Sequence, residues 1–224
     1  MAYHIDAENI DLDDLQKRIE ETDLVPSRIS LLDGLDTKLR TLEQQGITTL
    51  ARLRYELKNA KRREALSDAT DIDLQYLILV RREVEGYFPK PAALKAFDWL
   101  PKEEITRLEE NGIHNAAALY EAARGAKSRT EIAGSIGVDV AVFEALIRLA
   151  DLTRVQWVSP TAARMLIEAG YDSASMVAAA DSEDLHQALI RVNEGDRFFK
   201  GTIGLRDIKR LIQAAGYVSS WASV

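Results

Sequence analysis

Leu12, Leu15 and Ile19 fall on one stripe of a helical period, with Asn9 and Asp11 before them as N-caps, which predicts a helix over residues 12–21. Leu50, Leu53, Leu57 and Ala60 form a second such face and predict a helix over residues 50–63. Arg54, Lys58, Lys61 and Arg62 share another face of that helix at the same spacing. Leu74, Leu77, Ile78 and Val84 predict a third helix, with Asp73 as its cap. Pro26, Pro89, Pro91, Pro101 and Pro160 stand where helices start or linkers lie. No segment shows the sustained alternation that a half-buried strand needs. The pattern is all-α.

A short motif recurs along this helical chain. Leu42-Glu43-Gln44-Gln45-Gly46-Ile47 reappears as Leu108-Glu109-Glu110-Asn111-Gly112-Ile113, as Leu166-Ile167-Glu168-Ala169-Gly170-Tyr171 and as Ile212-Gln213-Ala214-Ala215-Gly216-Tyr217. Each copy reads as a helix end followed by a glycine stop, so Gly46, Gly112, Gly170 and Gly216 are expected at positive φ. Trp99-Leu100-Pro101 leads into the second copy and Trp157-Val158-Ser159-Pro160 into the third. Trp99 and Trp157 are therefore expected at equivalent, largely buried positions. Gly34-Leu35 and Gly204-Leu205 precede copies one and four in the same way. A unit of this size has too little core alone, so the copies must pack on one another. The expected organisation is an acidic helical arm over 1–27, a first repeat domain over 28–91, and a second over 92–224 holding copies two to four.

The hydrophobic–glycine–hydrophobic turns between helices resemble the helix-hairpin-helix class, with SAM-like helical repeats as the fold implied. Ala150-Asp151-Leu152-Thr153-Arg154-Val155, followed by Leu166-Ile167-Glu168-Ala169-Gly170-Tyr171, more closely resembles an uncharacterised bacterial family, domain of unknown function 4332. That resemblance covers about residues 95–218, and the register of copy one extends it to about residue 28. It implies no reaction, cofactor or catalytic residue.

Helix-hairpin-helix elements that bind DNA present a Gly-hydrophobic-Gly hairpin, whose bare amides approach phosphate. Here Gly34-Leu35-Asp36 and Gly204-Leu205-Arg206 keep one glycine, and the tryptophan–proline hairpins of copies two and three keep neither. Ala133-Gly134-Ser135-Ile136-Gly137-Val138-Asp139 resembles a helix-turn-helix, but the helix after it opens Val140-Ala141-Val142-Phe143-Glu144, without base-reading side chains. A tight turn between core helices is the role expected of it.

Charge adds a further asymmetry. Residues 1–25 carry eight acids against Lys17 and Arg18, a net of −6, and residues 28–63 carry nine bases against four acids, a net of +5. The absence of cysteine excludes disulfides, thiolate nucleophiles and zinc–thiolate sites. His4, His114 and His186 lie in no metal-ligand spacing, and Gly125-Ala126-Lys127-Ser128 lacks the upstream glycine of a phosphate loop. Asp68, Asp71 and Asp73 lack the glycine of a calcium loop and suit helix capping. Gly86-Tyr87-Phe88-Pro89-Lys90-Pro91 reads as a short, stiff connector.

These readings lead to a non-catalytic, cytoplasmic interaction module or scaffold, with no cofactor and no metal. Its expected partner is a protein or a second copy of itself, with no membrane involved. Within the glycine-flanked stretch 193–201, Arg197, Phe198 and Lys200 are candidate contacts, the alternative being that Phe198 and Phe199 close the core. The other reading is weak, sequence-nonspecific nucleic-acid binding through Arg54, Lys58, Lys61 and Arg62.

Overall fold

Short polar side chains start most of the helices by accepting an amide hydrogen bond from the first turn. Asp11 accepts from Asp14 N at 2.8 Å and opens α1, Leu12–Glu21. The computed structural model describes residues 3–124 and 128–218, so Gly125–Lys127 of the phosphate-loop-like stretch lie outside it. The described residues divide into two compact units, one of residues 5–88 and the other of residues 3–4 together with 89–218. Among them there is no strand, only isolated bridges of Asp11 with Thr49 and of Ala93 with Asn115.

The 5–88 unit continues from α1 through a 3-10 turn, Pro26–Leu32, into α2, Leu35–Gln44; α3, Leu50–Lys58; α4, Ala60–Thr70; and α5, Leu74–Gly86. Leu12, Leu15 and Ile19 are buried in one core with Leu39, Leu42, Leu50, Leu53 and Leu77. The acidic segment from Ile5 onward thus supplies core residues to this unit, while Tyr3 belongs to the core of the other. Asp73 caps α5 by accepting from Tyr76 N at 3.0 Å. Tyr87 is buried and donates to Glu83 Oε1 at 3.0 Å, so the aromatic start of the connector is docked.

The helix expected over 50–63 is two helices. Asn59 takes an extended backbone, φ −91° and ψ 129°, and its side chain accepts from Arg62 N at 3.2 Å, starting a new helix. An asparagine that offers its own acceptor competes with helix continuation, and here it prevails. Ala60, expected on the apolar face, is exposed.

The 89–218 unit contains α6, Lys102–Glu110; α7, Ala116–Ala122; α8, Arg129–Ile136; α9, Val140–Leu152; α10, Pro160–Glu168; α11, Ala174–Ala178; α12, Ser182–Val192; and α13, Leu205–Gly216. Its core includes Leu108, Leu119, Phe143, Leu146, Leu166, Val177, Leu185 and Ile208, with α7 packed on α9 and α11 on α13.

One turn geometry is built three times. Gly46, Gly112 and Gly170 have φ of 76°, 82° and 93°. Beyond each, the amide of Ile47, Ile113 or Tyr171 returns to the carbonyl of Leu42, Leu108 or Leu166 at 2.9–3.1 Å. Three residues after each glycine, Thr49, Asn115 or Ser173 caps the next helix. The first residue of that helix, Leu50, Ala116 or Ala174, is fully buried.

The fourth glycine departs from this expectation. Gly216 is the last residue of α13 and has no positive φ; the helix runs through it and is capped by Tyr217 at φ −85°. The amides of Tyr217 and Val218 donate three residues back to the carbonyls of Ala214 and Ala215 at 3.3 and 3.1 Å, so no left-handed residue is needed. Gly137, φ 76°, ends α8 instead, with Val138 N returning to Ala133 O at 2.9 Å. The sequence that resembles a helix-turn-helix is therefore another glycine stop between two helices. Gly34 and Gly204 both precede helices but differ, φ 61° against −86°.

Candidate functional site

The basic residues of α3 and α4 do not present one continuous cationic face. Arg54 Nε and Nη2 donate to the two carboxylate oxygens of Glu85 on α5 at 3.0 and 3.1 Å, and its guanidinium lies 3.8 Å from the Phe88 ring centroid. The Arg54 hydrogen bonds hold the Glu85 carboxyl below the ordinary value of 4.5, against partial burial. Because the folded pKa is lowered, this pair adds stability above about pH 4.5 and loses it as pH falls through the lowered value. Glu85→Gln should therefore flatten the acid limb of a pH series of urea midpoints. Lys58 and Lys61 are exposed, one on each helix. Arg62 stacks 3.8 Å from the centroid of the exposed Tyr55 ring and donates from Nη1 to Tyr55 O at 3.2 Å. Arg52 approaches the same ring at 5.3 Å.

The stretch 193–201 is a tethered loop. Buried Asn193 accepts from the amides of Phe198 and Phe199 at 2.9 Å each, and its Nδ2 donates to Phe199 O at 2.9 Å. Phe198 packs against the core, with Arg164 and Arg197 over its ring at 5.4 and 4.6 Å. Arg197 also pairs with Glu168 at 2.7 Å. Lys200 is exposed, and Phe199 rather than Phe198 is the aromatic turned outward. A cleft of about 610 Å³ beside this loop is lined by Ile190, Arg191, Asn193, Gly195, Thr202 and Ile203.

Trp99 and Trp157 are not equivalent. Trp99 is half-buried, edge-on to Phe97 at 5.7 Å. Trp157 is 50% exposed and sits at φ 69°, a left-handed conformation that costs an L-residue about 1–2 kcal/mol. Residues after α9 fold into successive turns, Val155 N to Leu152 O and Val158 N to Val155 O, and Trp157 is the residue that must turn. That geometry throws its indole outward, where the Arg210 guanidinium of α13 stacks at 4.4 Å. Arg210 Nε is buried without a hydrogen-bond partner, and its Nη1 lies 3.8 Å from Asp207. Spacing alone could not show this, because the shared Trp–hydrophobic–Pro pattern does not report which residue takes the turn.

Beneath the surface lies a polar network. Arg154, with no side-chain exposure, donates to Asp151 Oδ1 at 2.9 Å and from Nε to Tyr3 O at 2.8 Å. Asp151 Oδ2 accepts the Ala174 amide at 2.8 Å. It thereby does for α11 what Ile10 O and Ala92 O do for Leu50 and Ala116 at the starts of α3 and α7. Burial raises the Asp151 pKa, opposed by the Ala174 amide and by Arg154. Among the described residues, no group of three or more His, Asp or Glu side chains is arranged to hold a metal ion.

The family model described as a domain of unknown function, DUF4332, matches residues 100–217, more than half of the chain. The chain belongs to the DUF4332 family. No curated protein and no solved structure matches it. The DUF4332 match takes in α6 to α13, and with them Asp151, Arg154, Trp157, Arg210 and the tethered loop. The basic residues of α3 and α4 lie outside it. Among the described residues, no helix is long and apolar enough to cross a membrane.

Proposed function

We propose that this DUF4332 protein is a non-catalytic helical interaction module that docks a protein partner, or a second copy of itself, through Trp157 and Arg210. The observation that carries the reading is the strained, half-exposed position of Trp157 at φ 69°. A tryptophan there gains little from burial and tolerates unfavourable backbone geometry, a combination that suits contact better than folding. Tryptophan and arginine are also the residues that most often dominate binding energy at protein interfaces. The outward Phe199, held by Asn193, is a second anchor of the same kind.

Trp157→Gly separates contact from folding. The substitution relieves the left-handed strain, so the melting temperature should stay unchanged or rise. Self-association in sedimentation velocity, or the set of proteins cross-linked from exposed Lys209 beside Arg210 on α13, should be lost with it. Association and cross-linking that survive Trp157→Gly and Phe199→Ala would overturn the reading.

A second reading, weak nucleic-acid binding, is favoured by the exposed Tyr55 stacked under Arg62 beside Lys58 and Lys61. Arg54 is engaged with Glu85, which leaves three cations for phosphate. The slope of log K against log[salt] should then be about −2.7, from about 0.9 counterion per contact, with little sequence preference. No retardation at low salt would remove this reading.

A further inference from the structure

Tyr3 is held by residues 120–154 as a bound peptide would be. The residue is 5% exposed, and its ring meets Tyr120 edge-on at 5.7 Å and 82°. Its main-chain carbonyl accepts from Arg154 Nε at 2.8 Å, and its phenol lies 3.5 Å from Thr153 Oγ1. Arg154 in turn lies 4.5 Å from the Tyr120 ring centroid and is paired with Asp151. Residues 3–4 therefore complete the unit that also contains 89–218, although the whole 5–88 unit separates them from it in sequence.

We propose that the Tyr120–Thr153–Arg154 recess is a peptide-binding site, filled here by the chain's own Tyr3 segment, that recognises a peptide by one aromatic ring and one main-chain carbonyl. The chemistry explains why these groups are needed together. A guanidinium with no side-chain exposure requires acceptors for its donors, and Asp151 faces only part of them. The Tyr3 carbonyl supplies an acceptor at Nε, and the Tyr3 ring closes the recess against water. Neither contribution depends on the covalent link at Ile5. A separate strand of the same sequence can make both, as in other sites that capture a peptide by its main chain and one side chain.

The test deletes residues 1–4 from the full chain and returns them as a synthetic peptide of residues 1–10 carrying a fluorophore at its C-terminal end. The truncated chain should melt at least about 4 °C lower. It should raise the anisotropy of the peptide saturably and recover its melting temperature. The Tyr3→Ala peptide should bind at least tenfold more weakly, and the intact chain, its recess filled, should not bind either peptide. A folded truncated chain that does not bind the peptide, or binds the Tyr3→Ala peptide equally, overturns the proposal. Should the truncated chain be unfolded, added peptide must restore its circular dichroism. In addition, Tyr3→Ala in the intact chain must speed hydrogen exchange of the Ala174 amide while leaving the Leu50 amide unchanged. Failure of either overturns the proposal as well. Trp157 takes no part in these measurements, so their failure and that of the docking reading are distinguishable.

Discussion

Asp151→Ala is expected to destabilise the protein by about 3–5 kcal/mol, the cost of breaking a buried ion pair from one side. The carboxylate satisfies two groups that cannot reach water: the Arg154 guanidinium, with no side-chain exposure, and the Ala174 amide at the start of α11. Removing it takes the carboxylate from a buried guanidinium and leaves the buried Ala174 donor unsatisfied. Replacing both partners, Asp151→Leu with Arg154→Met, should cost far less, since no charge is then stranded. Urea unfolding of the two single variants and the double variant checks this through the coupling energy. The pH dependence has the opposite sign to that of Glu85. Burial raises the Asp151 pKa above 3.8, so between the raised value and 3.8 the folded chain binds the proton more readily than the unfolded one. The Asp151 contribution to stability therefore grows as pH falls through that window. Asp151→Asn should remove this acid-side gain.

The four motif glycines should split by sign. Gly46→Ala, Gly112→Ala and Gly170→Ala are each expected to cost about 1 kcal/mol, because alanine at φ between 76° and 93° is strained. Gly216→Ala is expected to stabilise by about 0.5 kcal/mol, because that glycine closes a regular helix and alanine loses less backbone entropy there. A Cβ at any of the four meets no atom within 4 Å, so steric clash does not contaminate the comparison. Urea midpoints with unchanged m-values read the result directly. A loss at Gly216 equal to the other three would mean that its backbone is not helical.

The helical class, the starts of α1 and α5 at Asp11 and Asp73, and the glycine stops at Gly46, Gly112 and Gly170 are legible in the residues alone. These are decided within one or two helical turns, where a cap or a left-handed glycine acts on its own neighbours. The break at Asn59 was local too, but hydrophobic periodicity ran across it and masked the cap. Gly216 looked like its three counterparts in residues 212–217, yet its backbone remained helical. Which side chains face solvent, or one another across long separations, is set by packing. Arg54 meets Glu85 across 31 residues, and Arg154 meets Tyr3 across 151. Such pairs form because packing brings their helices or segments together, and no spacing along the chain encodes that meeting. Trp157 joins them, since its exposure follows from which residue turns the chain after α9 and from the position of Arg210 on α13.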